Sequence, residues 1–170
     1  MENCLFTDEK LNEITYITTP SGHMTKDLCC NCPTCGRYII SDGILRIFEN
    51  RGKSISKQSK TNCASQCIKF GMDNPSQLIF WVVKGEGYAC EQRHENNEHY
   101  AYFDFEDFEN EFVDHAEKPF VLLKMVASRL SGKGAIETYK ITKKDWIISK
   151  ITSDEELKQY LEFLLKKKLS

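Results

Sequence analysis

Residues 26–41 read KDLCCNCPTCGRYIIS, and they place four of the chain's eight cysteines (29, 30, 32 and 35) within seven positions. Nothing else in the 170 residues limits the local fold so narrowly. Thiols this close on one bend ligate an ion, work as a redox pair, or pack as small apolar groups. The N-terminus, MENCLFTDEK, lacks the charged-then-apolar pattern of a secretory signal, and no run of eighteen apolar residues occurs. A cytoplasmic protein with no membrane segment is therefore expected. Thiols stay reduced in that compartment, which favours metal over disulfides.

CPTCG (32–36) carries the clearest chemistry. Two thiolates three residues apart at a tight turn face one ion, and Gly36 supplies the positive φ such a knuckle needs. Soft sulfur ligands in a tetrahedron suit structural Zn²⁺. The rival Cys-x-x-Cys redox motif opens a helix near a βαβ pattern, whereas here the apolar RYIIS predicts a strand.

A closed zinc site needs two more ligands. Cys4 precedes the first predicted strand, where a second knuckle is expected, but the text reads Cys-Leu-Phe-Thr, and Thr7 cannot replace a thiolate. The preferred ligand set is Cys4, Cys30, Cys32 and Cys35. Cys29 and His23 compete for the fourth place, as does the pair Cys63 and Cys67, which share a face if that segment is helical. Cys90 stands apart in the sequence and reads as a buried thiol.

The apolar (41%) and charged (28%) fractions are ordinary globular values, so a packed core is expected. The net charge of −2 conceals an asymmetry. Residues 86–117 carry one Lys or Arg against eleven Asp or Glu, and residues 118–170 carry twelve against six. The first block reads as an acidic solvated belt. The second, with its +6 balance, gives a nucleic-acid-binding alternative, joined by Arg46, Arg51, Lys53, Lys57 and Lys60 in a polar stretch beside the knuckle. A further alternative is a metal-dependent nuclease built on His94, His99, Asp104 and Glu106. No nucleophile elbow or phosphate loop occurs, so catalysis has little motif support.

Pattern reading predicts strands over 13–20, RYIIS, the continuous run QLIFWVV (77–83) and the alternating HYAYFDF (99–105). GILRIF (43–48) fits a strand or a short helix. ENRGKSISKQSKTN (49–62) reads as a loop, and CASQCIKFGM as one or two helical turns stopped by Gly71. Phe105, Phe108 and Phe112 have the spacing of a helical stripe. Pro119 starts a helix that carries Leu122, Leu123, Val126 and Leu130 and ends at Gly132 and Gly134. AIETYKIT and WIISKI then read as two strands joined at Lys143-Lys144-Asp145. A last helix starts at a Ser153–Glu156 capping box and ends at Lys166–Lys168. The expectation is an α+β chain: a zinc-knuckle β portion over 1–112, then a helical, winged-helix-like portion over 113–170.

CPTCGRYIIS resembles the Cys-Pro-x-Cys-Gly-x-Tyr-x-Ile knuckle near the N-terminus of many bacterial proteins, where it precedes effector domains of antiviral or signalling type such as TIR domains. EKPFVLLKMVASRL and TSDEELKQYLEFLLKKKLS are similar to the helical tail of those modules. The resemblance covers about a third of the chain and no catalytic residue. It implies that Cys32 and Cys35 bind zinc and that Cys4 belongs to a partner knuckle. A second cysteine is common where this chain has Thr7. It also implies a recognition or regulatory module acting on a protein partner or effector, with these 170 residues as one part of a larger protein.

Overall fold

A computed structural model describes residues 1–19, 21–51, 54–95, 97–109, 111, 113–130 and 140–168. The fold is α+β, and the chain divides into two compact units, Met1–Glu111 and Phe112–Ser170.

The first unit is built on a five-stranded sheet in chain order. Strands β1 (Glu13–Thr18), β2 (Met24–Cys32) and β3 (Gly36–Ile40) pair antiparallel, whereas β4 (Leu78–Val82) and β5 (Tyr100–Asp104) continue it parallel to β3. Parallel neighbours need crossover helices. Two helices, α1 (Asp42–Arg51) and α2 (Lys57–Asp73), lie between β3 and β4, and α3 (Gly87–Arg93) lies between β4 and β5. Interior strand β4 is covered on both faces, which is why its sequence is apolar throughout rather than alternating.

The register sorts the two faces. Leu28, Cys30, Tyr38, Ile40, Ile79 and Trp81 share one, and all are buried. There Phe6 and Phe48 (α1) join Trp81 in an aromatic cluster with Phe105 and Phe108 of the short helix α4 (Phe105–Glu109). The other face carries Ile39, Phe80 and Val82, packed with Cys90 of α3.

Several pattern-based expectations change here. GILRIF is helical, and the segment expected as a loop over 49–62 instead ends α1 and begins α2. Ser56 caps α2 by accepting the Ser59 amide at 3.0 Å. This helix escapes periodicity analysis because its buried face is small and polar. Ser59 donates to the Glu109 carbonyl (2.8 Å) and Asn62 to the Phe108 carbonyl (3.1 Å), so hydrogen bonds replace an apolar stripe. Gly71 lies inside α2 rather than ending it. The stripe begun by Phe105 and Phe108 sits on α4, while Phe112 lies outside the described residues.

The second unit contains α5 (Lys118–Leu130), α6 (Lys143–Ile148) and α7 (Asp154–Lys168). WIISKI is therefore not a strand. Thr142 and Asp145 form a reciprocal capping box that starts α6, a signal masked by the β-branched run after it. Residues 131–139, most of the other expected strand, lie outside the described residues together with Gly132 and Gly134. Among the described residues this unit has no strand, so the winged-helix-like arrangement has no wing there. At α7, Ser153 accepts the Glu156 amide at 3.2 Å as expected, but the Glu156 carboxylate accepts from the Thr152 amide (2.7 Å) and from buried Lys118 (2.7 Å). Among the described residues no helix is long and apolar enough to cross a membrane.

Candidate metal centre

The β2–β3 hairpin turns at Cys32-Pro33-Thr34-Cys35-Gly36. Cys32, the last residue of β2, pairs with Gly36, whose φ of 80° is the left-handed turn expected from the sequence. The Cys35 amide donates to the Cys32 sulfur at 3.4 Å, so both side chains emerge on one side of the bend.

A second, smaller hairpin comes from the N-terminus. Asn3 bridges Lys10, the Cys4 amide donates to the Glu9 carbonyl (2.7 Å), and the Asp8 amide donates to the Cys4 carbonyl (3.0 Å). Asp8 takes a φ of 57°, four residues after Cys4, just as Gly36 follows Cys32. Lys60 of α2 pairs with the Asp8 carboxylate at 3.0 Å. Phe6, inside the turn, packs on Tyr38 and Trp81 with ring centroids 5.3 and 5.6 Å apart, and this docks the hairpin on the sheet.

The two bends bring the sulfurs of Cys4, Cys32 and Cys35 within 4.8 Å of one another, all buried. Cys4 and Cys35 are 3.9 Å apart. Four thiolates about 2.3 Å from a zinc ion stand about 3.8 Å from each other, so this edge already has the length of a coordination tetrahedron. The three cysteines can hold a metal ion.

Their mutual contacts shift the Cys4 and Cys35 thiols in opposite directions. Hydrogen bonds from the Cys32 and Cys35 thiols outweigh burial and, with those of Thr7 and Tyr38, pull Cys4 down to about 2. The Tyr38 hydroxyl reaches the Cys4 sulfur at 3.2 Å. The same contacts with Cys32 and Cys4, and then burial, push Cys35 well above the ordinary thiol range. A bound cation would displace the protons that these sulfurs carry.

Of the four ligands expected from the sequence, the structure assembles three. Cys30 is buried on the same sheet face but stands outside the close group. Burial and the nearby Cys29 and Cys4 push its thiol up to about 12. The alternatives also lie outside the close group. Cys29 is half-buried and accepts from Arg37 at 3.8 Å, and His23 is exposed. Cys63 and Cys67 are buried on α2, where the Trp81 indole donates to Cys67 at 3.3 Å. Cys90 is a buried thiol, as its isolation in the sequence suggests. Two contacts of the centre escaped the sequence reading. Thr7 lies 3.5 Å from the Cys32 sulfur, and Glu9 accepts from both Thr7 (3.1 Å) and Cys32 (3.7 Å). The equal length of Cys4–Asp8 and Cys32–Gly36, each with a turn-forming last residue, was the available signal.

The expected histidine–carboxylate site is not assembled. His94 is buried against Asp27, 3.0 Å from its carboxylate, while Glu106 accepts the Lys84 amide. Among the described residues, the three cysteines are the only such group close enough to share an ion. The basic stretch beside the knuckle is also largely neutralised: Arg46 pairs with Asp42, Arg51 with Glu109 and Lys60 with Asp8. Lys53 lies outside the described residues.

No protein-family model, curated protein or solved structure matches this chain.

Proposed function

We propose that the chain is a non-catalytic module that binds one structural Zn²⁺ and serves recognition or regulation. The observation that carries this reading is the buried group Cys4, Cys32 and Cys35. Its donors are soft, and it joins two segments 28 residues apart in the sequence, the arrangement of an ion that fastens a terminal arm to a domain. The regulatory role rests on the likeness of CPTCGRYIIS to knuckles that precede bacterial effector domains of defence or signalling type. Residues that could run a reaction are used elsewhere, His94 in a hydrogen bond to the Asp27 carboxylate and Glu106 in accepting the Lys84 amide.

Mass spectrometry of the intact chain under native conditions tests the reading. One zinc per chain is expected, with loss of that mass in Cys32→Ser and Cys35→Ser. A protein that stays metal-free after exposure to zinc, and is equally stable with and without a chelator, removes the basis of the proposal.

A further inference from the structure

Three thiolates leave one corner of a tetrahedron open, and the N-terminal hairpin determines what stands there. Cys4-Leu5-Phe6-Thr7-Asp8 repeats the backbone form of Cys32-Pro33-Thr34-Cys35-Gly36: a cysteine first, a left-handed residue fifth. In that correspondence Thr7 holds the position of Cys35. Its hydroxyl lies 3.5 Å from the Cys32 sulfur and also contacts Cys4, so it borders the open side of the sulfur group. A neutral hydroxyl brings no negative charge to a cation. A carboxylate does, and one is adjacent: Glu9 Oε2 is 3.1 Å from Thr7 Oγ1 and 3.7 Å from the Cys32 sulfur.

We propose that the Glu9 carboxylate is the fourth ligand of this centre, with the Thr7 hydroxyl orienting it, so that the protein binds its metal through three sulfurs and one oxygen. The inference rests on the zinc reading above. Carboxylate oxygens bind zinc at about 2.0–2.2 Å, which places sulfur and oxygen in a mixed tetrahedron about 3.6 Å apart. The Cys32–Glu9 separation is already close to that length. The Glu9 carboxylate, like Cys30, lies outside the group of sulfurs within 4.8 Å, but its backbone is held beside Cys4 by the Cys4 amide, and the assignment requires its side chain to turn toward the other two sulfurs. The remaining thiols are less well placed. Cys30 stands outside the close group of sulfurs, and Tyr38 contacts both it and Cys4. Cys67 is held on α2 by the Trp81 indole.

X-ray absorption at the zinc edge of the zinc-loaded full chain, combined with zinc competition against a chelator, tests the assignment. Three sulfurs at about 2.3 Å and one oxygen at about 2.0 Å are expected. Zinc affinity should fall at least ~tenfold in both Glu9→Gln and Glu9→Ala. Thr7→Cys should convert the spectrum to four sulfurs and tighten binding. Four sulfurs in the unaltered protein would overturn the assignment of Glu9 and leave the zinc reading standing. One oxygen whose loss of Glu9 leaves affinity unchanged would make that oxygen water and also overturn it. Absence of zinc from the unaltered protein would instead overturn the reading beneath.

Discussion

Asp27 is the most consequential single charge in the first unit. Its side chain is fully buried in β2, yet it carries three donors. Its Oδ1 accepts the Asp42 amide at the start of α1 (3.1 Å), while its Oδ2 meets His94 Nε2 (3.0 Å) and Arg93 Nη1 (3.1 Å) at the end of α3. Asp27→Ala strands a buried amide and a buried imidazole, each worth about 1–3 kcal/mol. Arg93 is 44% exposed and adds about 0–1 kcal/mol after solvent screening. The expected loss is about 3–5 kcal/mol, the usual cost of removing one partner of a buried pair. Asp27→Asn keeps an acceptor for the Asp42 amide and should cost roughly half as much. Urea unfolding of the full chain, followed by circular dichroism, measures both. The pH dependence gives an independent check. Burial opposes ionisation of Asp27, but the His94 hydrogen bond, the Asp42 amide and Arg93 overcome it and hold the carboxyl below its usual 3.8. Its contribution is therefore present above that value and lost as pH falls through the lowered one. A change under about 1 kcal/mol in Asp27→Ala would refute the picture of one carboxylate tying three elements.

At free zinc about a thousandfold above its Kd the ion adds about 4 kcal/mol, so chelation should lower the melting temperature of the 1–111 unit by roughly 15 °C. Cys35→Ser should melt at the chelated temperature with or without zinc. In the second unit, Glu156→Ala strands the buried Lys118 and should cost about 3–5 kcal/mol, whereas Lys118→Met with Glu156→Gln should be nearly neutral. The Lys118, Thr152 and Tyr160 hydrogen bonds overcome the burial of Glu156 and lower it to about 2, so its contribution is lost as pH falls from about 4.5 towards that value. Ser56→Ala removes the cap of α2 and should cost about 1 kcal/mol in the same urea assay.

The legible parts of the sequence were those where one local rule acts alone. Gly36 after Cys-Pro-Thr-Cys specifies a knuckle, and the apolar run of β4 specifies a buried strand. Reading failed where tertiary contacts replace local pattern. Nothing in KSISKQSKTN shows that Ser59 and Asn62 will bond carbonyls some fifty residues away, so a helix with a polar buried face looks like a loop. WIISKI has β-forming residues, but a capping box starting one residue before α6 overrides them. At the metal centre Cys30 was preferred for lying two residues before Cys32, over Cys63 and Cys67, whose helical spacing suits packing. Positions i and i+2 share a strand face, yet Cα atoms so related lie about 6.6–6.8 Å apart, and Cys32 is the member at the bend. Asp27 offered no sequence signal at all, since its partners lie 15, 66 and 67 residues further on.

The metal centre and the aromatic core are coupled through Phe6. Its ring lies between Cys4 and Thr7 in the sequence, is 4% exposed, and contacts Tyr38, Trp81 and Phe48. Tyr38 in turn hydrogen-bonds the Cys4 sulfur. An ion shared by Cys4, Cys32 and Cys35 therefore requires the hairpin to be docked, and the Phe6 ring is one of the contacts that dock it. Phe6→Ala should cost about 3–5 kcal/mol of stability. If half of that loss falls on docking of the hairpin, zinc affinity drops at least ~tenfold, since about 1.4 kcal/mol corresponds to each decade. Phe6→Leu retains most of the buried volume and should lose less in both measurements. Unfolding curves and chelator competition on the same variants separate the two quantities. A Phe6→Ala protein that is destabilised but binds zinc as tightly as the unaltered chain would show that the arm docks independently of the ring, and that metal and core act as separate fastenings.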